Sequence, residues 1–467
     1  MEVVPDTSVI QPGADIVPAD MSWFIHDRFG LFVSWGPSTL SLGELGWNRF
    51  FEDIPDDVYK AKYVDHFDPD LYDPRAWARA AAAAGMKYVV FTVKHIDGFA
   101  LWDSDETDFK APTSPAGRDL LAPFVEAFRA EGIRIGLYYS LIDWNHPDFP
   151  LDGLHPMRKD PATRATRGER QMARYAAYMR AQLTELLTRY GRIDLLWFDF
   201  SYPDWAIFEK TNFKLFEHDP TRGEWTATGK GRAEWESDAL VGLARSLQPG
   251  IIINDRADLP GDYISPEQHV PAKPPERDGQ PVAWETCATM NDAWAYRRDD
   301  SRWKTTEQLV RMLVNVVSKG GNLLLNVGPT GRGDFPGPSL ERLAGIADWM
   351  RAHGRAIYGC GQSAFTPPPD ARYTQRGKRL YLHLFAWPFD PSIHLPGLAG
   401  RVAYAQLLHD GSEVPFRVIG ANEGLSETAT EHRLAPDALT LTVSVERPDV
   451  VVPVIELFLT DDAVGPA

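Results

Sequence analysis

Asp199 stands at the end of a run, Ile193–Phe200 (IDLLWFDF), that apolar and aromatic side chains fill with almost no polar break. Such a run reads as a short buried strand. A carboxylate costs several kcal/mol to bury unpaired, so its place beside the last hydrophobic residues of a strand calls for a use. In barrels and open sheets of parallel strands, reacting groups sit at the carboxyl ends of the strands. Asp199, with Trp197 beside it, is therefore read as a group presented to a substrate, and to a sugar in particular, because indole faces stack on the apolar faces of sugar rings.

Hydrolysing a glycoside takes two carboxyl groups: one attacks or activates water, and one protonates the leaving oxygen. The leading second candidate is Glu267, in Asp262-Tyr263-Ile264-Ser265-Pro266-Glu267, where the proline stiffens the approach. Glu285, in Trp284-Glu285-Thr286, is its rival. Spacing alone chooses neither between them nor between retention and inversion. The other apparent strand ends are polar as well: Trp35 and then Trp47, Lys94-His95-Asp97, Tyr138-Tyr139, and Asn254-Asp255-Arg256. A lone histidine or arginine is more often structural. Six strand ends of this kind exceed what packing requires.

The elements that must position these groups alternate along the chain. Strands are expected at Arg28 to Trp35, Lys87 to His95, Arg134 to Ser140, Ile193 to Asp199, Ile251 to Asn254, Val282 to Thr286 and Asn322 to Val327. An eighth is obscure, with Ser363-Ala364-Phe365 its best remnant. Helices lie between them. Asp73-Pro74 opens one as N-cap and first turn, and Gly85 ends it. Another begins at Thr305 with a capping box to Gln308. The stripe Met172, Tyr175, Met179, Leu183, Leu186, Leu187, Tyr190 is core, not a cofactor site. The fold class is α/β, a (β/α)8 TIM-like barrel over residues 1–360. After Pro367-Pro368-Pro369 come short alternating runs at Arg379 to Leu384, Val402 to Leu408 and Ala438 to Val445, expected to form a small antiparallel β-sandwich over 361–467. The interval Ser201 to Glu234 is polar, aromatic and aperiodic, a loop overhanging the barrel mouth that is functional or mobile.

Composition excludes several classes. A net charge of −17 spread over 467 residues argues against nucleic acid or an anionic membrane as partner. Two cysteines make neither a disulfide framework nor a metal cluster. No glycine-rich phosphate loop occurs, so nucleotides are not expected. No apolar run is long enough to span a membrane. The stretch Met1 to Ala19 holds three acids, three prolines and no base, unlike a secretory signal. A cytoplasmic location is the default, with secreted or periplasmic the alternative should a signal have been trimmed. Fifteen tryptophans, many in polar loops or at strand ends, fit a carbohydrate partner.

Taken in order, RFGLFVSWG (28–36), KYVVFTVKHIDGFALWDS (87–104), GLYYS (136–140), IDLLWFD (193–199), INDR (253–256), ISPEQ (264–268), WETC (284–287) and GGNLLLNVGP (320–329) make the chain resemble the retaining α-L-fucosidases, a barrel followed by a β-sandwich. The resemblance implies an exo-acting hydrolase that removes terminal α-L-fucose from glycans or glycoconjugates by double displacement. It needs no metal or organic cofactor, and its partner is carbohydrate. By that resemblance Asp199 matches the nucleophile and Glu267 the general acid/base. His95, Tyr138, Trp197, Arg256 and Trp47 match residues lining the fucose pocket, and Arg256 would help to hold Asp199 charged. Trp35 and Glu285 join the substrate-binding set as strand-end residues. Two positions depart: the family has histidine where this chain has Ser34 and Ile96. Each neutral hydrogen bond so lost is worth about 0.5–1.5 kcal/mol. The alternatives are a shift to another sugar or a catalytically weak carbohydrate-binding relative. Oligomeric state, a homo-oligomer included, is open.

Overall fold

The computed structural model describes residues 19–41, 44–225, 229–418 and 437–461; the lead-in before residue 19 lies outside them. Strands β1 (Phe29–Val33), β2 (Tyr88–Lys94), β3 (Arg134–Ser140), β4 (Leu195–Asp199) and β5 (Ile252–Ile253) are followed by a small hairpin, β6 (Glu276–Arg277) and β7 (Gln280–Pro281). Then come β8 (Glu285–Thr289) and β9 (Asn322–Val327). Seven of these make one curled parallel sheet, in the order β5-β4-β3-β2-β1-β9-β8.

Side chains on a strand alternate between faces, and this parity sorts the core into two parts. Phe32, Tyr88, Val90, Tyr138, Leu195, Trp197 and Leu324 cluster on the concave side. Leu31, Val33, Val89, Phe91, Leu137, Leu196, Phe198, Leu323 and Leu325 pack outward with the covering helices. The helices start where local chemistry predicts. Asp73 accepts from the backbone of Arg75 and Ala76 ahead of the helix Pro74–Ala83. Both bonds of the Thr305–Gln308 capping box open the helix Thr306–Val317. Asp119 caps Leu121–Ala130 through Leu121 N at 2.7 Å and Ala122 N at 2.9 Å.

No eighth regular strand lies between β5 and β8. The irregular segment 262–268 joins the two edges instead: Asn254 bridges Tyr263, Ile264 bridges Trp284, and Glu267 bridges Cys287, all parallel. The remnant proposed at 363–365 is not a strand, and neighbouring Gly361 bridges Gln375 of the antiparallel part. The expected sixth barrel strand is also displaced: β8 starts at Glu285 rather than ending near it, because its register is set by β9, from Glu285 opposite Asn322 to Thr289 opposite Asn326.

After residue 370, β10 (Ala371–Arg376), β11 (Arg379–Leu384), β12 (Ser392–Leu395), β13 (Val402–Leu407), β14 (Phe416–Val418), β15 (Leu439–Thr442) and β16 (Val454–Leu459) form two antiparallel sheets, β10-β11-β16-β13 and β12-β15-β14. Both contribute to one apolar cluster that includes Leu380, Leu395, Leu439, Leu441 and Leu457. Trp349, on the helix Gly337–His353, donates its indole N–H to Val452 O at 3.1 Å, and Arg355 pairs with Glu456 at 2.7 Å. Among the described residues no helix is long and apolar enough to cross a membrane.

Gly30 marks how tightly the concave core is filled. A Cβ there would meet the Tyr88 ring at 2.5–2.8 Å. Gly30→Ala is expected to cost about 1–3 kcal/mol through overpacking, read as a lower thermal midpoint; a midpoint equal to wild type would mean that the ring has room to move.

Candidate active site

Asp199 ends β4 with the parity of Leu195 and Trp197, and so points into a cavity of about 590 Å³ at the carboxyl end of the sheet. Its Oδ1 accepts from Arg256 Nη1 at 2.9 Å and from the Phe200 backbone N–H at 3.0 Å, and its Oδ2 from the Tyr138 hydroxyl at 2.9 Å. Asn254 fixes the strand behind it. The Asn254 side chain accepts from Phe198 N and donates to Phe198 O, both at 2.9 Å, extending the short β5 pairing by one residue.

Arg256 also reaches the second carboxylate. Its Nη2 lies 2.9 Å from Glu267 Oε2, so one guanidinium holds Asp199 and Glu267 together. Three supports aim the fork. Ser265 accepts from Nε through Oγ at 3.2 Å and from Nη2 through its carbonyl at 3.1 Å. Asp255 in turn accepts from the Ser265 hydroxyl at 2.6 Å. The Trp197 ring lies beneath the guanidinium carbon at 4.4 Å, a cation–π contact that favours the charged group. Burial opposes the charge on Arg256, but the neighbouring acids, Asp199 foremost, outweigh it and hold the guanidinium protonated.

The chain turns sharply after each carboxylate. Phe200, at φ 75°, and Gln268, at φ 58°, both lie in the left-handed region, which costs non-glycine residues of order 1–3 kcal/mol and concentrates at functional sites. The turn at Phe200 brings its ring edge-on to His95 at 5.5 Å and to Trp47 at 5.9 Å.

His95 enters the cavity through an irregularity. The β2–β3 register shifts between Thr92 and Lys94. Lys94 thereby turns outward to the Tyr139 hydroxyl at 2.9 Å, Gln182 and Asp143, and His95 turns inward, stacking on Tyr138 at 5.4 Å. Burial pushes the His95 imidazole down to about 4, against the opposing pull of Asp199. It is therefore neutral at ordinary pH. Burial and the charge of Asp199 raise the Tyr138 phenol far above its usual range, so it stays a donor.

Of the predicted residues, Asp199, Glu267, Trp47, His95, Tyr138, Trp197 and Arg256 line this one cavity, as does Ser34. Trp35 does not. It shares the outward parity of Leu31 and Val33, is 1% exposed, packs on Phe67, Tyr72 and Trp77, and donates to Thr330 O at 2.9 Å. Glu285 does not either. It faces inward but from the amino end of β8, fully buried and bonded to Tyr88 at the start of β2. Ile96 is fully buried beside Gly46, where a Cβ would meet Ile96 Cγ1 at 2.8 Å. Sequence reasoning missed Glu44, Thr92 and Trp294 in the wall. Glu44 joins two mouth loops by accepting from Trp294 N at 3.0 Å and Ala295 N at 3.5 Å, and burial pushes its carboxyl up. Its signal was a carboxylate within Leu45's turn just before Trp47, easily read as solvated.

Of the interval after Asp199, residues 201–225 and 229–234 are described, and these are more ordered than the composition suggests. It holds short helices at Trp205–Thr211 and Phe213–Phe216, and Trp205 and Trp225 are buried. Buried pairs anchor it: Lys230 with Asp152, and Arg158 with Asp219 at 2.5 Å. Ser201, Tyr202, Pro203 and Phe208 form its contribution to the cavity wall.

His95 takes up protons less readily folded than unfolded. Between its ordinary value of 6.5 and about 4 the unfolded chain binds the extra proton, so stability falls as pH falls through that window. His95→Gln is expected to flatten this slope in urea midpoints measured at pH 7.5, 6 and 5; an unchanged slope would place the titrating groups elsewhere.

A family model described as Alpha-L-fucosidase matches residues 14–355. Alpha-L-fucosidase isoenzyme 1 from Paenibacillus thiaminolyticus superposes with a TM-score of 0.82 at 43% identity, covering 94% of this chain and 99% of that one. An alpha-L-fucosidase from Bacteroides thetaiotaomicron, trapped as a covalent intermediate with 2-fluoro-fucosyl fluoride, gives 0.74 at 26% identity, covering 96% and 98%. The human plasma alpha-L-fucosidase is 30% identical over 402 residues, 80% of this chain and 78% of that protein. With a matching family model over most of its length and relatives of this similarity, the chain belongs to the alpha-L-fucosidase family of glycoside hydrolases.

Proposed function

We propose that this chain is an exo-acting, retaining α-L-fucosidase in which Asp199 is the nucleophile and Glu267 the general acid/base. The observation that carries the reading is the shared guanidinium: Arg256 lies 2.9 Å from an oxygen of each carboxylate, over one cavity. A retaining pair must stand close enough to act on opposite sides of one glycosidic bond.

In the first step Asp199 attacks the anomeric carbon while Glu267 protonates the departing oxygen. In the second, Glu267 takes a proton from water, which displaces Asp199 and restores the original configuration. Oδ2 of Asp199 has one donor, Tyr138, against two on Oδ1, so it keeps more electron density for the attack. The Glu267 side chain, 42% exposed, can exchange its proton with solvent at the mouth, whereas that of Asp199 is only 14% exposed. Neutral His95 offers a hydrogen bond to a sugar hydroxyl without adding charge beside Asp199.

Ser34 favours a second reading, the same mechanism on a related sugar, because a short hydroxyl stands in the wall where the family has an imidazole. The segment 262–268 serves as the eighth stave of a (β/α)8-like barrel spanning 1–360, and the sheets of 361–467 cap it as a β-sandwich.

Release of 4-nitrophenol from the α-L-fucoside tests the assignment. Asp199→Asn is expected to abolish turnover, and Glu267→Gln to reduce it by about 10²–10⁴-fold. Mass labelling of Asp199 by a 2-fluoro fucosyl fluoride completes the test. Full activity in either variant would sink the corresponding role, and preference for another aryl glycoside would select the second reading.

A further inference from the structure

Glu285 is a buried carboxyl that the mechanism leaves unused. It lies at the amino end of β8 in an otherwise apolar interior that includes Val90, Leu195, Ile252 and Leu324. An apolar side chain of similar size would cost the fold less. Polar groups from three other elements lie around it. Tyr88 on β2 donates to Oε2. Tyr263 on the bridging segment and Trp197 on β4 sit close enough for their O–H and N–H to favour the ionised carboxyl. The Trp197 indole N–H, the Tyr263 hydroxyl and Glu285 Oε1 are all buried with no hydrogen-bond partner, three unsatisfied polar groups around one interior.

Trp197 is the piece of this cluster that reaches the chemistry. Arg256 lies over its ring at 4.4 Å, and Tyr138, which donates to Asp199, stacks on it at 5.4 Å. The indole is thus in contact with two of the groups that hold Asp199, while its own N–H is buried without a partner.

We propose that Glu285 is a positioning residue: its carboxyl anchors the indole N–H of Trp197 and thereby sets the height and tilt of the surface on which Arg256, Tyr138 and the sugar rest. The kinetic part of this inference rests on the fucosidase reading; the anchoring part does not. Burial pushes Glu285 up to about 7, opposed by the bonds from Tyr88, Tyr263 and Trp197. The other titratable groups facing it are Cys287 beside it on β8 and, through Asn322 on β9, Arg28. The anchor therefore strengthens as pH rises through neutrality and the carboxyl ionises.

Two measurements on the full chain test this. In ¹⁵N-labelled protein, the indole resonance missing from Trp197→Phe identifies Trp197. It is expected to move downfield with a midpoint near pH 7 in wild type and to stop titrating in Glu285→Gln. An indole signal that does not titrate in wild type overturns the proposal, with no variant required to fold. In kinetics with the aryl fucoside, Glu285→Gln is expected to lower kcat/KM about tenfold, and the double variant with Trp197→Phe to be no worse than Trp197→Phe alone. Independent, multiplying losses overturn it. A titrating indole in an enzyme that does not turn over the fucoside would leave the anchor standing and reject the fucosidase reading.

Discussion

The site depends on one cation shared between two carboxyl groups. Two acidic side chains aimed at one point are held there most readily by a cation placed between them. Arg256 stands between Asp199 and Glu267, giving each a nitrogen of its own at 2.9 Å. Arginine suits the task because its planar fork presents several donors in fixed directions and stays charged under burial. Ser265 and Asp255 fix the fork from one side and the face of Trp197 from below. Most of the polar architecture at the mouth serves to aim this one guanidinium.

A chain of short supports connects that guanidinium to the fold. β5 is only two residues long, so the Asn254 side chain completes its pairing to β4 at Phe198, immediately before Asp199. The segment 262–268 carries Ser265 and Glu267 while bridging the sheet edges. Because that segment is irregular, it can turn at Gln268 and deliver Glu267 to the mouth, which a regular strand in register would not do. The left-handed residues after Asp199 and Glu267 are the local cost of the turns that bring both carboxyl groups to one cavity.

The cavity wall differs from its floor. The floor is aromatic and rigid, with Phe32, Tyr138 and Trp197 in mutual contact. The rest of the wall includes Ser34, Thr92, whose hydroxyl is buried without a partner, and the Glu44 carboxyl that ties down the Trp294 loop. Under the proposed reading, a substitution at Ser34 changes the wall without touching the Arg256 bridge.

The sequence by itself determined much of this. Most apolar runs marked strands, Asp73 and the Thr305–Gln308 pair marked helix starts, and Asp199, Glu267, His95, Tyr138, Trp197 and Arg256 were legible as strand-end and loop residues that the fold brings to one cavity. Local propensity and hydrophobic patterning act over a few residues, so the sequence displays them directly. Facing and depth were decided elsewhere. Trp35 lies one residue from the cavity-lining Ser34 but on the opposite parity, so it packs with Phe67 and Trp77 instead of meeting substrate. Glu285 looked like the end of a strand and is the beginning of one, because β9 sets the register of β8. His95 faces inward only because the β2–β3 register slips before Lys94. Register belongs to pairs of strands distant in the chain, and a shift of one residue exchanges inside for outside. Only the tertiary structure could therefore decide which of the strand-end residues meet at one guanidinium.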